Sequence, residues 1–194
     1  MSGASLLLLT SLLLSADQIG EANPPSRLGM SGAGTSAPQT KEEIAQREAK
    51  AKAAFEALEP EFERFQQMQI PMSTKNAQLF ASRLLEKMKA LTELQDKYAK
   101  VLQLGSPEWG IASLVRIGDL SWELAEQLDA APPPSSYPDL KQALDGLYDP
   151  MSEPLRTKAV DAYQAASAKA AEQKISNEYV ARAKRRLEAA KKPR

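Results

Sequence analysis

The period of the apolar residues constrains this chain more than any other feature. From residue 40 onward hydrophobic side chains recur three, four or seven positions apart, and no segment shows sustained alternation bounded by turn signals. A repeat near 3.6 places such residues on one stripe of a helix, whereas a half-buried strand needs a period of two. The sequence therefore predicts an all-α fold with no sheet.

Local punctuation divides that pattern into helices. Thr40 with Glu43 three residues on is a capping box. Ile44, Ala51, Phe55, Leu58, Phe62 and Phe65 then share a face. Pro60 lies within this run; it lacks an N–H and its ring meets the carbonyl four residues back, which predicts a kink or break near Leu58-Glu59. Ile70-Pro71 ends the segment. Ser73 or Thr74 is placed to cap a second helix, with Phe80, Leu84, Met88, Leu91, Leu94, Tyr98 and Val101 as its stripe and Gly105 as its stop. Ser106-Pro107-Glu108 combines a capping hydroxyl, a proline in the first turn and an acid at the positive end of the helix dipole. The helix it opens, Trp109 to Leu128, is apolar on more than one face, which predicts burial between neighbours. Ala131 to Ser136 reads as a stiff extended connection. A short helix is expected from Pro138 to about Leu147, a break at Asp149-Pro150, and a new start at Ser152 or Glu153 running to about Gln173. Asn177 caps a last helix with Val180, Ala183, Leu187 and Ala190.

The first residues have a different character. Leu6 to Leu14 form a nine-residue apolar run, far short of the about 20 residues a bilayer requires but of the length found in signal peptides. Gly20-Glu21-Ala22 offers a small-x-small cleavage site, and Leu14-Ser15-Ala16 a second. No Lys or Arg precedes the run, so only an α-amino group or an upstream start supplies positive charge; the competing reading is a buried N-terminal helix. The stretch that follows is rich in Gly, Pro and Ser without an apolar period and reads as disordered. The expected organisation is a signal peptide at 1–22, a disordered linker at 23–40 and a helical domain at 41–192. The mature chain is then periplasmic or secreted, without a transmembrane span.

Composition narrows the chemistry. Cysteine and histidine are both absent, and 25 Lys and Arg balance 25 Asp and Glu. Disulfides and lipoprotein-type anchors are excluded, as are nucleophilic sites built on His or Cys. Carboxylates alone ligate zinc poorly. An exported protein without cysteine fits a bacterial periplasm better than a eukaryotic secretory route. Zero net charge removes any global attraction to nucleic acid. Asp139, Asp145 and Asp149 lack the spacing, glycine and closing Glu of a calcium loop. No metal or cofactor is expected. The C-terminal cations Lys184, Arg185, Arg186, Lys191, Lys192 and Arg194 read as a solvated helix end rather than a phosphate site.

Three residues of the third helix are candidates for partner contact. Arg116 and Asp119, three apart in an apolar helix, read either as a local surface pair or as a polar anchor for a partner's carboxylate or backbone. Trp109 and Trp122 each read either as core or as an exposed interface anchor, with core favoured for both and more strongly for Trp109.

Ala159-x3-Tyr163-x2-Ala166 has the spacing of the second helix of a tetratricopeptide repeat, and Leu114-x2-Ile117-Gly118 resembles the first. The resemblance implies antiparallel helix pairs in which Gly118 receives a large side chain from the partner helix. Ser121 stands where the repeat usually has an aromatic. Gly118 and Ala159 are 41 residues apart where the repeat needs about 12, so the proline-rich connection and short helix read as an insertion. Gly105 to Ala112 with Arg116-Ile117-Gly118, the Ala-Pro connection at 131–134 and the alanine-rich helix after Pro154 together resemble a repeat variant of delta-proteobacterial, especially myxobacterial, cell-envelope proteins. Some of these belong to gliding-motility machinery. The match runs from about Lys75 to Leu187. It implies a non-enzymatic, exported scaffold binding protein partners in the envelope, with self-association possible. Two alternatives stand beside it. One is a coiled-coil-like oligomer built on Phe55, Leu58, Phe62 and Phe65. The other is a carboxylate-based cell-wall hydrolase.

Overall fold

Six helices follow one another without a strand among the described residues: α1 Lys41–Glu56, α2 Glu59–Gln67, α3 Ala77–Gln103, α4 Pro107–Asp129, α5 Pro138–Gln173 and α6 Glu178–Ala190. The computed structural model describes residues 40–70, 77–130 and 138–192, with the backbone alone at 77, 78, 80, 81 and 138–150. The expected leader, its cleavage sites at Ala16 and Ala22, the linker up to residue 39, the caps at Ser73 or Thr74 and the connection at 131–136 lie outside these residues.

Helix boundaries follow the local chemistry. Thr40 Oγ1 accepts from the Glu43 backbone N–H at 3.2 Å, and Glu43 Oε2 accepts in return from the Thr40 N–H at 2.8 Å. Pro60 separates α1 from α2 where its missing N–H and its ring interrupt the ladder, and it then sits in the first turn of α2, where no donor is needed. Gly105 ends α3 with φ of +76°, a left-handed conformation that glycine adopts without strain. Ser106 Oγ caps α4 by accepting from the Trp109 N–H at 3.1 Å, and Asn177 Oδ1 caps α6 through Val180.

One boundary differs from expectation. The break at Asp149-Pro150 and the restart near Ser152 are absent; α5 is a single helix from Pro138 to Gln173 that passes through both Pro150 and Pro154. Proline's own φ is helical, so each interior proline removes one hydrogen bond and crowds one carbonyl without forbidding the helix. The pairing of α5 with α4, the most extensive helix contact in the fold, supplies tertiary stabilisation that local propensity does not count.

Cross-helix contacts fix the directions. Met68, Glu59 and Glu48 meet Gln127, Arg116 and Ser106 in turn, so α1 and α2 run parallel to α4. Lys87 lies near Glu123 and Gln95 bonds Ser121, while Leu102 lies beside Gly110, so α3 runs antiparallel to α4. Arg156 pairs with Asp129 and Tyr163 with Asp119, so α5 is antiparallel to α4 as well. A Schellman turn, with Lys174 at φ of +55° and Ile175 N–H bonded to the Ala170 carbonyl at 2.9 Å, returns the chain into α6.

α4 is the central helix. Its Leu120, Leu124 and Leu128 join Phe55, Phe62, Phe65, Leu94 and Tyr98 in one apolar cluster. Its Ile111, Val115 and Trp122 join Ala159, Tyr163, Ala166, Val180 and Ala183 in a second. Burial on both sides explains why its sequence is apolar on more than one face. Each fully buried side chain of the size of Phe55 or Phe65 contributes about 1.5–3 kcal/mol. On the stripe of α3, Leu84, Leu91, Leu94, Tyr98 and Val101 are buried while Met88 is exposed.

Candidate functional site

The polar residues of α4 become a site only when the neighbouring helices arrive. The break at Pro60 places Glu59 at the start of α2, facing the middle of α4. Its two oxygens receive the Arg116 guanidinium in a fork: Nε to Oε1 at 2.9 Å and NH2 to Oε2. Tyr98 of α3 donates its hydroxyl to the same Oε1 at 3.0 Å. The guanidinium also lies 4.3 Å from the Phe62 ring centre and 5.5 Å from that of Tyr179, so its faces are covered by aromatic rings. Burial works against the Arg116 charge, but the hydrogen bonds and charge of Glu59, then the charge of Asp119, outweigh it and move its pKa up.

Asp119, one turn further, is the second hub. Its side chain is 2% exposed. Oδ1 accepts from the Tyr163 hydroxyl of α5 at 2.9 Å. Oδ2 lies 2.7 Å from Arg182 Nε of α6 and 3.4 Å from Arg116 NH1, and Arg186 Nε is 3.9 Å from Oδ1. One carboxylate therefore faces three guanidinium groups and a phenol drawn from three helices. Burial first, and the Asp119 charge second, push the Tyr163 hydroxyl upward, so it stays protonated and donates; Tyr98 is raised likewise by burial and Glu59.

Trp122 forms the next layer. It is 4% exposed, with Tyr163 at 6.3 Å between ring centres and the guanidinium groups of Arg156 and Arg186 at 5.1 and 5.4 Å from its own. Its Nε1 has no acceptor among the described residues. Trp109 packs against Phe55 at 5.3 Å and is half-buried.

Arg116, Asp119 and Trp122, the residues that the sequence offers for partner contact, are thus drawn together inside the fold. Arg116 and Asp119 do pair, but not as a solvated surface pair. Their ionic and hydrogen-bonding groups are taken up by neighbours within the chain, so a partner meets the side chains that cover them. Glu59, Tyr98, Tyr163, Arg182 and Arg186 complete the network. The i, i+4 spacing of Arg182 and Arg186 on α6 was the available signal for two of them; nothing local to Glu59 distinguishes it from an ordinary first-turn acid.

A second polar knot lies at the other end of α4. Lys87 of α3 is fully buried and donates to the Met68 carbonyl at 2.7 Å, with Glu123 at 4.0 Å and the Phe65 ring centre at 4.6 Å. Gln127 bonds the same carbonyl at 3.3 Å and accepts from the Ile70 N–H at 3.3 Å. The orphan carbonyl at the end of α2 is thereby satisfied. Burial lowers the Lys87 pKa to about 8, against the opposing pull of Glu123.

Gly118 shows why α4 and α5 approach so closely. A Cβ there would stand 2.7 Å from Tyr163 Cε1 and 3.0 Å from Cδ1. The ring occupies the space a side chain would fill. Ser121, in place of an aromatic, accepts from Gln95 Nε2 at 2.8 Å, and Lys158 donates to Gln95 Oε1 at 2.6 Å.

Among the described residues no group of Asp and Glu is placed to hold a metal, and no helix is long and apolar enough to cross a membrane. The chain matches no known protein family, no curated protein and no solved structure.

Proposed function

We propose that this protein is an exported, non-enzymatic interaction scaffold of the bacterial cell envelope, built from helix pairs of tetratricopeptide-repeat-like type, in a motility or other envelope complex. The observation that carries this reading is the seating of Tyr163 on Gly118. Small-to-aromatic packing of this kind joins the two helices of a repeat, and repeat units present their outer faces to other proteins. The polar groups of α4 support it too. Glu59 and Asp119 each accept from several donors within the chain, which is the arrangement of a fold-specifying network rather than of a carboxylate pair flanking a cleft.

Export is tested by expressing the full chain in a Gram-negative host and fractionating it. A shortened protein, cut after Ala22 or Ala16, is expected in the periplasm; full-length protein in the cytosol would refute export. Scaffolding is tested by affinity capture from envelope extract with the full chain as bait, beside a Leu114→Asp variant that disrupts the second apolar cluster. Recovery of the same envelope proteins by both baits would refute it.

A further inference from the structure

Between residues 174 and 194 the chain has eight Lys and Arg against two Glu. Since the whole chain is neutral, this segment concentrates positive charge at one end of the sequence. α6 divides its cations between two faces. Arg182 and Arg186 turn inward to Asp119. Arg185 and Lys192 are exposed, and neither makes an ion pair among the described residues.

A groove of about 290 Å³ lies between α5 and α6, with Lys192 in its lining. Trp122, Val160, Ala189 and Ala190 line it together with Lys192 and Arg156, whose guanidinium pairs with Asp129. Arg185 lies one turn before Ala189, at i, i+4, so the two share a face of α6, and Lys192 follows just beyond the end of the helix. The groove is thus a small apolar floor bordered by cations. Among the described residues Glu153 is the one acid in the lining.

Resting on the scaffold reading above, we propose that this groove docks an acidic peptide segment of a partner protein, with an apolar side chain seated over Val160, Ala189 and Ala190 and carboxylates directed to Arg185 and Lys192. The charge selects an anionic occupant. The shape selects a peptide among anions. Trp122 is buried and offers no face for base stacking, which weighs against single-stranded nucleic acid. Among the described residues the large exposed apolar ones, Ile44, Leu79, Leu85 and Met88, all lie on α1 and α3, so α6 has none to insert into a lipid surface.

The test titrates the full chain into a fluorescein-labelled peptide of alternating Glu and Asp around a central Leu, followed by anisotropy. The Gln/Asn counterpart, oligothymidylate and vesicles of equal parts phosphatidylglycerol and phosphatidylcholine serve as competing probes. Arg185→Glu/Lys192→Glu changes only exposed residues; Lys184→Glu reverses one exposed charge of α6 that is not in the groove lining. The expected result is saturable binding of the acidic peptide alone, weakened about tenfold or more by the double variant and by less than about twofold by Lys184→Glu. Failure to bind the acidic peptide, equal binding of the neutral one, preferential binding of the oligonucleotide or vesicles, or equal loss in Lys184→Glu would each overturn the groove. Envelope capture with wild-type and doubly substituted baits separates the two readings. Partners lost only from the variant agree with the groove. Partners retained by both overturn the groove and leave the scaffold standing. Partners recovered by neither overturn both.

Discussion

Replacing Asp119 with alanine removes the acceptor on which α4, α5 and α6 converge. The Tyr163 hydroxyl is left buried without its 2.9 Å partner, a loss of about 1–3 kcal/mol. The three guanidinium groups lose their shared counter-charge unequally. Arg116 keeps Glu59, Arg186 keeps Glu126 at 3.5 Å, and Arg182 is about one-third exposed and regains water. Breaking a buried ion pair from one side costs about 3–5 kcal/mol, and these compensations place Asp119→Ala near the lower end, about 3 kcal/mol in total. Asp119→Asn keeps an acceptor for Tyr163 but loses the charge, and about 2 kcal/mol is expected. Tyr163→Phe deletes one charge-assisted bond and costs about 1.5 kcal/mol. The assay is urea unfolding of the full chain followed by far-UV circular dichroism, with the denaturant slope required to stay unchanged. Because Tyr163 and Asp119 share a bond, the double variant must be less destabilised than the sum of the two by about 1 kcal/mol. An Asp119→Ala cost below about 1 kcal/mol, or strict additivity with Tyr163→Phe, would refute the view that Asp119 is the hub of the network.

Other consequences are equally measurable. Gly→Ala in an exposed helix stabilises by about 1 kcal/mol, but at Gly118 the new Cβ meets a ring pinned by Asp119, so a net loss of about 1–2 kcal/mol is expected; a stabilised Gly118→Ala would contradict the close approach. Lys87 titrates at about 8 in the fold against 10.5 in a free side chain, so the unfolded chain binds more protons between these values and stability should rise with pH across that window, by about 2 kcal/mol from pH 8 to 10. The raised hydroxyls of Tyr98 and Tyr163 act in the opposite sense once unfolded tyrosine ionises, near pH 10, which caps the rise. Lys87→Met should flatten the curve between pH 8 and 10 in denaturation measurements; an unchanged slope would exclude Lys87 as its source. Lys174 holds a left-handed φ of +55° in the α5–α6 turn, and Lys174→Gly should raise the thermal midpoint through a gain of about 0.5–1 kcal/mol.

The sequence by itself determined the helical class and most helix ends, because caps, prolines and apolar period act over three to seven residues. Thr40, Pro60, Ser106 and Asn177 each mark a boundary observed in the fold. The central place of α4 was legible as well, since a helix buried on two sides must be apolar on two sides. The small residue at Gly118 pointed to a close helix approach, with the partner ring found at Tyr163. What only the tertiary structure decided is where the polar residues go. Arg116 and Asp119 look the same in sequence whether they face water or the interior. Their burial depends on Glu59, Tyr98, Tyr163 and Arg182, which lie 18 to 66 residues away along the chain and arrive only when the helices pack. The continuity of α5 through Pro150 and Pro154 was decided at the same level. A proline's local cost is fixed by its ring, but whether a helix survives it depends on packing that no local pattern records.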